Sequence, residues 1–133
     1  MTNRNTVEYT LLNAKAATGI DKAIAVGDFK NVVFSYATDG GGTAALTVKF
    51  QGSIQETCPD FSAAQTKTNH WDYIEVVDLQ DGSAIDGDTG VAVATADDYR
   101  LLEANVNGLQ WICARVTARS AGSVTVKARA FHE

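Results

Sequence analysis

The stretch Gln110-Trp-Ile-Cys-Ala-Arg-Val-Thr-Ala-Arg119, followed by Ser120-Ala121-Gly122 and Ser123-Val-Thr-Val-Lys-Ala-Arg-Ala-Phe131, decides how this chain is read. Both flanks alternate apolar and polar residues, the period of a half-buried β-strand. With Ser120, Ala121 and Gly122 as a loop, and Gly122 at the left-handed position after a type I turn, the sequence predicts a long C-terminal β-hairpin. Arg119 then faces Ser123. One face pairs Ala118 with Val124, Val116 with Val126, Ala114 with Ala128 and Ile112 with Ala130, all apolar. The other pairs Thr117 with Thr125, Arg115 with Lys127 and Cys113 with Arg129. A slip of one residue would turn the apolar set to solvent, so the alternation selects this register.

Working outward, the rest of the chain repeats the pattern. Val7 to Asn13 reads as a first strand and Ala23 to Val26 as a short one. Asn31 to Ala37 is rich in β-branched and aromatic residues, and Asp39-Gly-Gly-Gly42 forces a turn after it. Ala45 to Gln51 alternates, with Leu46, Val48 and Phe50 on one side, and closes a second expected hairpin. Asp60 to Thr68 reads as a loop, His70 to Leu79 as one strand, Gln80 to Gly90 as an acidic turn-rich loop and Val91 to Thr95 as a short strand. Tyr99 to Val106 has some helix propensity, but it precedes Asn107-Gly108, a hairpin signal, and is read as a strand. About eight short strands with almost no helical period predict an antiparallel, jelly-roll-like β-sandwich. With 133 residues and no linker, residues 1–133 are expected to form one domain.

Composition narrows the function classes. The formal net charge of −5 disfavours nucleic-acid binding, which needs a basic footprint. No apolar run approaches a membrane span, and Met1-Thr-Asn-Arg-Asn-Thr6 has no apolar core of a secretory signal, so the expectation is a protein folded in the cytosol. The charge is uneven. From Asp72 to Glu103 there are nine acidic residues against Arg100, whereas Ala104 to Glu133 carries four basic residues against one acid. Such a split suits self-association, and it also suits plain solvated charge. The two cysteines, Cys58 and Cys113, form no CxxC and are read as free thiols.

No catalytic constellation emerges. His70 and His132 are the only histidines; His70 neighbours Trp71 and Asp72, His132 is the penultimate residue, and neither is read as part of a catalytic pair. No nucleophile signature is present, so no enzyme and no cofactor are expected. Asp78, Asp81, Asp86 and Asp88 lie in one glycine-punctuated stretch, and their carboxylates suit Ca²⁺. The spacing departs from the EF-hand pattern, however, and Asp-Gly pairs are ordinary turn chemistry, so no metal is the main expectation. Arg115, Arg119, Lys127 and Arg129 share the non-core face of the expected hairpin, as a solvated face or as an interface with an acidic surface. Arg115 opposite Lys127 is an unfavourable like-charge pair unless carboxylates lie close by. Trp71 and Trp111, with Tyr36, Tyr73 and Tyr99, suit core or interface anchors, or a sugar-stacking platform.

Leu11-Leu-Asn-Ala14, then Leu46-Thr-Val-Lys-Phe-Gln-Gly-Ser-Ile54 with Trp71 after it, then Ala114-Arg-Val-Thr-Ala-Arg-Ser-Ala-Gly-Ser-Val-Thr-Val126 resemble strands of small virion proteins of tailed bacteriophages. The loop from Glu56 to Asn69 and the acidic insert from Asp81 to Thr95 depart from that group's compact pattern. The resemblance implies a non-enzymatic β-sandwich of the virion, assembled in the host cytoplasm. It implies a head decoration (cement) protein that clusters as a homo-oligomer, a trimer favoured, on the major capsid protein. A tail or fibre module that binds carbohydrate is the alternative it leaves open.

Overall fold

A computed structural model describes residues 6–131. His132 and the Met1–Asn5 opening lie outside the described residues. The strands are β1 (Thr6–Lys15), β2 (Ile24–Ala25), β3 (Asn31–Asp39), β4 (Ala45–Ser53), β5 (Asp72–Ile74), β6 (Val76–Asp78), β7 (Ala84–Ile85), β8 (Val91–Val93), β9 (Tyr99–Asn105), β10 (Trp111–Ala121) and β11 (Ser123–Phe131). Among the described residues there is no helix. Sheet A has the order β1-β11-β3-β9-β6-β7. Sheet B has the order β2-β10-β4-β5, with β8 sharing the β4 edge beside β5. All pairings are antiparallel. The protein is an all-β sandwich, as the alternation implies.

The pairing is nested. β1 pairs β11, β2 pairs β10, β3 pairs β9 and β4 pairs β8. The chain thus behaves as one long hairpin rolled up, which is the logic of a jelly roll. The inward side chains of both sheets meet in one cluster that includes Leu12, Val32, Phe34, Tyr36, Val48, Phe50, Leu102, Val116, Val126 and Ala128. Phe34 of sheet A lies against Phe50 of sheet B, ring centroids 4.4 Å apart.

The expected C-terminal hairpin does not form. β10 pairs β2 and β4 in sheet B, while β11 pairs β1 and β3 in sheet A. Val116 lies opposite Val48 rather than Val126, and Val126 lies opposite Tyr36 and Leu12. Ser120-Ala121-Gly122 is an arch that crosses the sandwich. Gly122 has the expected positive φ of 84°, and a Cβ there would lie 2.8 Å from the Ala44 Cβ. The Arg119 Nε donates to the Gly122 carbonyl at 2.8 Å and braces the bend. The second expected hairpin is also an arch, with β3 in sheet A and β4 in sheet B, and so is the Asn107-Gly108 turn between β9 and β10. In a hairpin two apolar faces lie side by side and need another layer to cover them. In an arch they face and cover each other, so a two-layer sandwich uses arches.

The nine runs read as strands, about eight by the sequence count, become eleven strands among the described residues for local reasons. The His70–Leu79 run splits at exposed Glu75, with β5 in sheet B and β6 in sheet A. Ala84–Ile85 adds the small β7 inside the acidic loop. Ala118, expected in the core, is exposed, because a register shift between Val116 and Ala118 reverses the parity of the strand.

Candidate interaction surface

The two outward faces of the sandwich differ. On sheet B the outward positions are Trp111, Cys113 and Arg115 of β10, Lys49, Gln51 and Ser53 of β4, and Tyr73 of β5. The loop from Ile54 to His70 roofs this face. Phe61, Trp71 and Cys113 form a second buried cluster beneath it, with Tyr73 and Trp111 packed against them. Its polar groups are satisfied. The Gln51 Nε2 donates to the Phe61 carbonyl at 2.9 Å, the Arg115 Nη1 to the same carbonyl at 3.3 Å, and the Trp111 Nε1 to the Glu56 carbonyl at 3.3 Å. Trp71 stands edge-on to Tyr73 at 5.1 Å and donates its indole N–H to Ala63. This explains why Cys113, at a parity the alternation marks as polar, is buried.

Sheet A has no such roof among the described residues. Its register fixes three outward rows. One runs Glu8, Arg129, Val33, Glu103, Val77; the next runs Thr10, Lys127, Ser35, Leu101; the third runs Thr125, Ala37, Tyr99. Leu79 flanks Leu101 through its backbone N–H, which donates to the Leu101 carbonyl at 3.0 Å. Tyr99 is 75% exposed, Leu101 56% and Leu79 44%, which is unusual for large apolar side chains on three neighbouring positions. Small Ser35 leaves hollows on both sides of Leu101. One, of about 450 Å³, is lined by Ala37, Leu79, Gln80 and Tyr99 among others. The other, of about 230 Å³, is lined by Val33, Lys127, Arg129, Glu8 and Phe131. The face is therefore an apolar centre with a charged margin, Lys127 and Arg129 of β11 interleaved with Glu8 and Glu103.

The expected basic stripe is divided. Arg115 lies on the roofed face of sheet B, and Lys127 and Arg129 lie on the open face of sheet A, so Arg115 and Lys127 are not opposed. The cross-strand partner of Arg115 is Lys49. That like-charge pair is relieved by the Phe61 carbonyl on Arg115 and by the Tyr73 ring, whose centroid is 5.0 Å from the Lys49 Nζ. Arg129 approaches Glu8 at 3.5 Å, and Arg119 serves the arch. Trp71, expected at an interface, is 5% exposed and belongs to the roof cluster, while Trp111 is half-buried. Tyr99 was among the aromatic residues the sequence offered as anchors, whereas Leu101 and Leu79 were not singled out. Their signal is present, since Tyr99 and Leu101 share the parity opposite to buried Leu102, Ala104 and Val106.

The acidic loop is built as turns. Asp78 accepts from the Gln80 amide at 2.9 Å and meets Arg100 at 3.5 Å. Asp81 accepts from the Ser83 amide and hydroxyl, and these bonds hold its carboxyl below the usual range. Asp86 caps the turn to Thr89 and Gly90 through its backbone carbonyl, and Asp88 is exposed. Among the described residues no group of three or more His, Cys, Asp or Glu side chains converges on one point. His70 is exposed. What the open face offers chemically is contact area and charge.

No protein-family model matches the sequence, and no curated protein matches it significantly. Solved structures share the fold. The SPBc2 prophage-derived protein YomS matches with a TM-score of 0.70 at 12% identity, over 98% of this chain and 96% of that one. The PBSX exported protein XepA matches with a TM-score of 0.70 at 14% identity, over 98% of this chain and 39% of that one.

Proposed function

We propose that this chain is a non-enzymatic structural protein of a phage virion, a head decoration protein that docks on the major capsid protein through the open face of sheet A. The observation that carries the reading is the exposed trio Tyr99, Leu101 and Leu79 beside Lys127 and Arg129, on the face of sheet A that no loop covers among the described residues. Both fold likenesses above are to prophage-derived proteins, which supports the phage association. Burying a large apolar side chain is worth about 1.5–3 kcal/mol, so three of them supply a usable anchor, and the charges at its margin orient the partner. The carbohydrate-binding alternative loses Trp71 as a stacking platform, since that ring is buried. In this reading the protein works as a homo-oligomer, a trimer, within the virion and needs no cofactor, nucleic acid or membrane.

The test is co-sedimentation of the purified protein with empty heads of its phage, with native mass measurement of the free protein alongside. Wild type should saturate the shell. Leu101→Asp, at an exposed position, should keep its circular dichroism and lose at least about tenfold in affinity, a change of about 1.4 kcal/mol. Lys127→Ser with Arg129→Ser should weaken binding less and flatten its salt dependence. Absence of wild-type binding, or full occupancy by folded Leu101→Asp, refutes the proposal.

A further inference from the structure

The geometry points to Cys58 and Cys113 as a redox latch, two thiols that the fold brings together so that oxidation ties the 54–70 loop covalently to β10. They are the only cysteines of the chain and lie far apart in sequence. Two hydrogen bonds place them. Trp111 binds the Glu56 carbonyl, and Arg115 binds the Phe61 carbonyl. Both donors lie on the outward face of β10, and Cys113 lies midway between them on the same parity. The segment from Glu56 to Phe61 is thus pinned at both ends along that face, with Cys58 inside it, two residues from Glu56 as Cys113 is two residues from Trp111. Burial is the main cause that pushes the Cys113 thiol up, and the neighbouring Cys58 adds to it. The inference is independent of the proposed function.

The roles of the two sulfurs differ by access. Cys58 is exposed and Cys113 is buried beneath Phe61 and Trp71, its Sγ 3.1 Å from the Gln51 Oε1. The oxidant is a small-molecule disulfide. The Cys58 thiolate attacks one of its sulfurs, the S–S bond breaks, and one thiol leaves with the proton from Cys58. The Cys113 thiolate then attacks the Cys58 sulfur of the mixed disulfide, the protein S–S bond forms, and the second thiol leaves with the proton from Cys113. One external disulfide is reduced to two thiols, and the protein loses two hydrogens. The barrier is the second step, because Cys113 must ionise in a dry cluster, so the latch closes when the roof loosens briefly.

The experiment equilibrates the folded wild-type protein in glutathione buffers of increasing oxidised fraction. Intact mass and peptide mapping identify the products, and melting is followed with and without reductant. The expected result is a monomer lighter by about 2 Da, with a Cys58–Cys113 cross-linked peptide and a melting temperature raised by several degrees, reversed by reductant. Cys58→Ser, at an exposed position, should fold normally and show neither change. Cys113→Ser should fold and stop at the Cys58–glutathione adduct; if it fails to fold, the Cys58→Ser comparison still decides. Persistent glutathione on Cys58 of the wild type with Cys113 free, or disulfide-linked dimers in place of the internal bridge, overturns the inference.

Discussion

Val116 and Ala118 share strand parity in the sequence, and the structure separates them. Val116 is fully buried between the sheets, and its backbone exchanges two 2.9 Å hydrogen bonds with Gly19. Ala118 lies beyond the register shift, opposite Thr47, and is exposed. Val116→Asp forfeits the valine burial, worth about 1.5–3 kcal/mol. It also places a carboxyl in the core: keeping an Asp of ordinary pKa about 3.9 neutral at pH 7 costs about 4 kcal/mol, and burying the neutral group without a partner costs about 1–3 kcal/mol more. The total, on the order of 6–10 kcal/mol, is comparable to the whole stability of a typical domain, so the variant should be largely unfolded. Val116→Ala should remain folded and lose about 2–3 kcal/mol through lost methyl groups and the cavity left behind. Ala118→Asp should stay within about 0.5 kcal/mol of wild type. Urea unfolding followed by the fluorescence of Trp71 and Trp111 measures all three, with a constant m-value as the check on the comparison. If Ala118→Asp cost more than about 2 kcal/mol, the bulge and the outward parity after it would be refuted.

Three further outcomes follow from single side chains. Tyr36 is 1% exposed, its hydroxyl has no hydrogen-bond partner, and burial above all pushes its pKa to about 12. A folded pKa above the unfolded value means stability that is intact below pH 10 and lost as pH rises toward 12. Tyr36→Phe should therefore raise the urea midpoint, by about 1 kcal/mol in stability, and should move alkaline unfolding to higher pH. For Asp21, burial opposes ionisation, but the Asn13 amide at 3.0 Å and Lys15 at 2.9 Å outweigh it and lower its pKa. That contribution is present above about pH 4 and fades as pH falls through the lowered folded value, so an acid titration of Asp21→Asn should show a shallower loss of stability than wild type. Phe34→Ala should cost about 3–5 kcal/mol in the same urea assay, and its double-mutant cycle with Phe50→Ala should leave a coupling of about 0.5–1.5 kcal/mol; an additive pair would contradict the ring contact.

The period of two in the sequence determined which side chains point inward wherever the pairing runs unbroken, and Ala118, past the bulge in β10, is the exception. Ile112, Ala114, Val116, Val124, Val126, Ala128 and Ala130 are all buried, as are Leu46, Val48 and Phe50. That property is local, because successive side chains of a strand alternate whatever the strand pairs with. The turn chemistry was legible too, since Gly122 needs its positive φ in a hairpin and in an arch alike. The partner of each strand was not legible. It depends on which distant strand completes the backbone hydrogen bonds, and a nested pairing such as β1 with β11 leaves no mark between neighbouring residues. The site followed the same division. The basic residues of β10 and β11 looked like one stripe because they are adjacent in sequence, and the arch sent them to opposite faces of the sandwich. Only the tertiary structure decided that one face is roofed by Phe61 and Trp71 and the other left open around Leu101. A loop's docking is set by the surface it covers, which exists only once strands far apart in the chain have assembled.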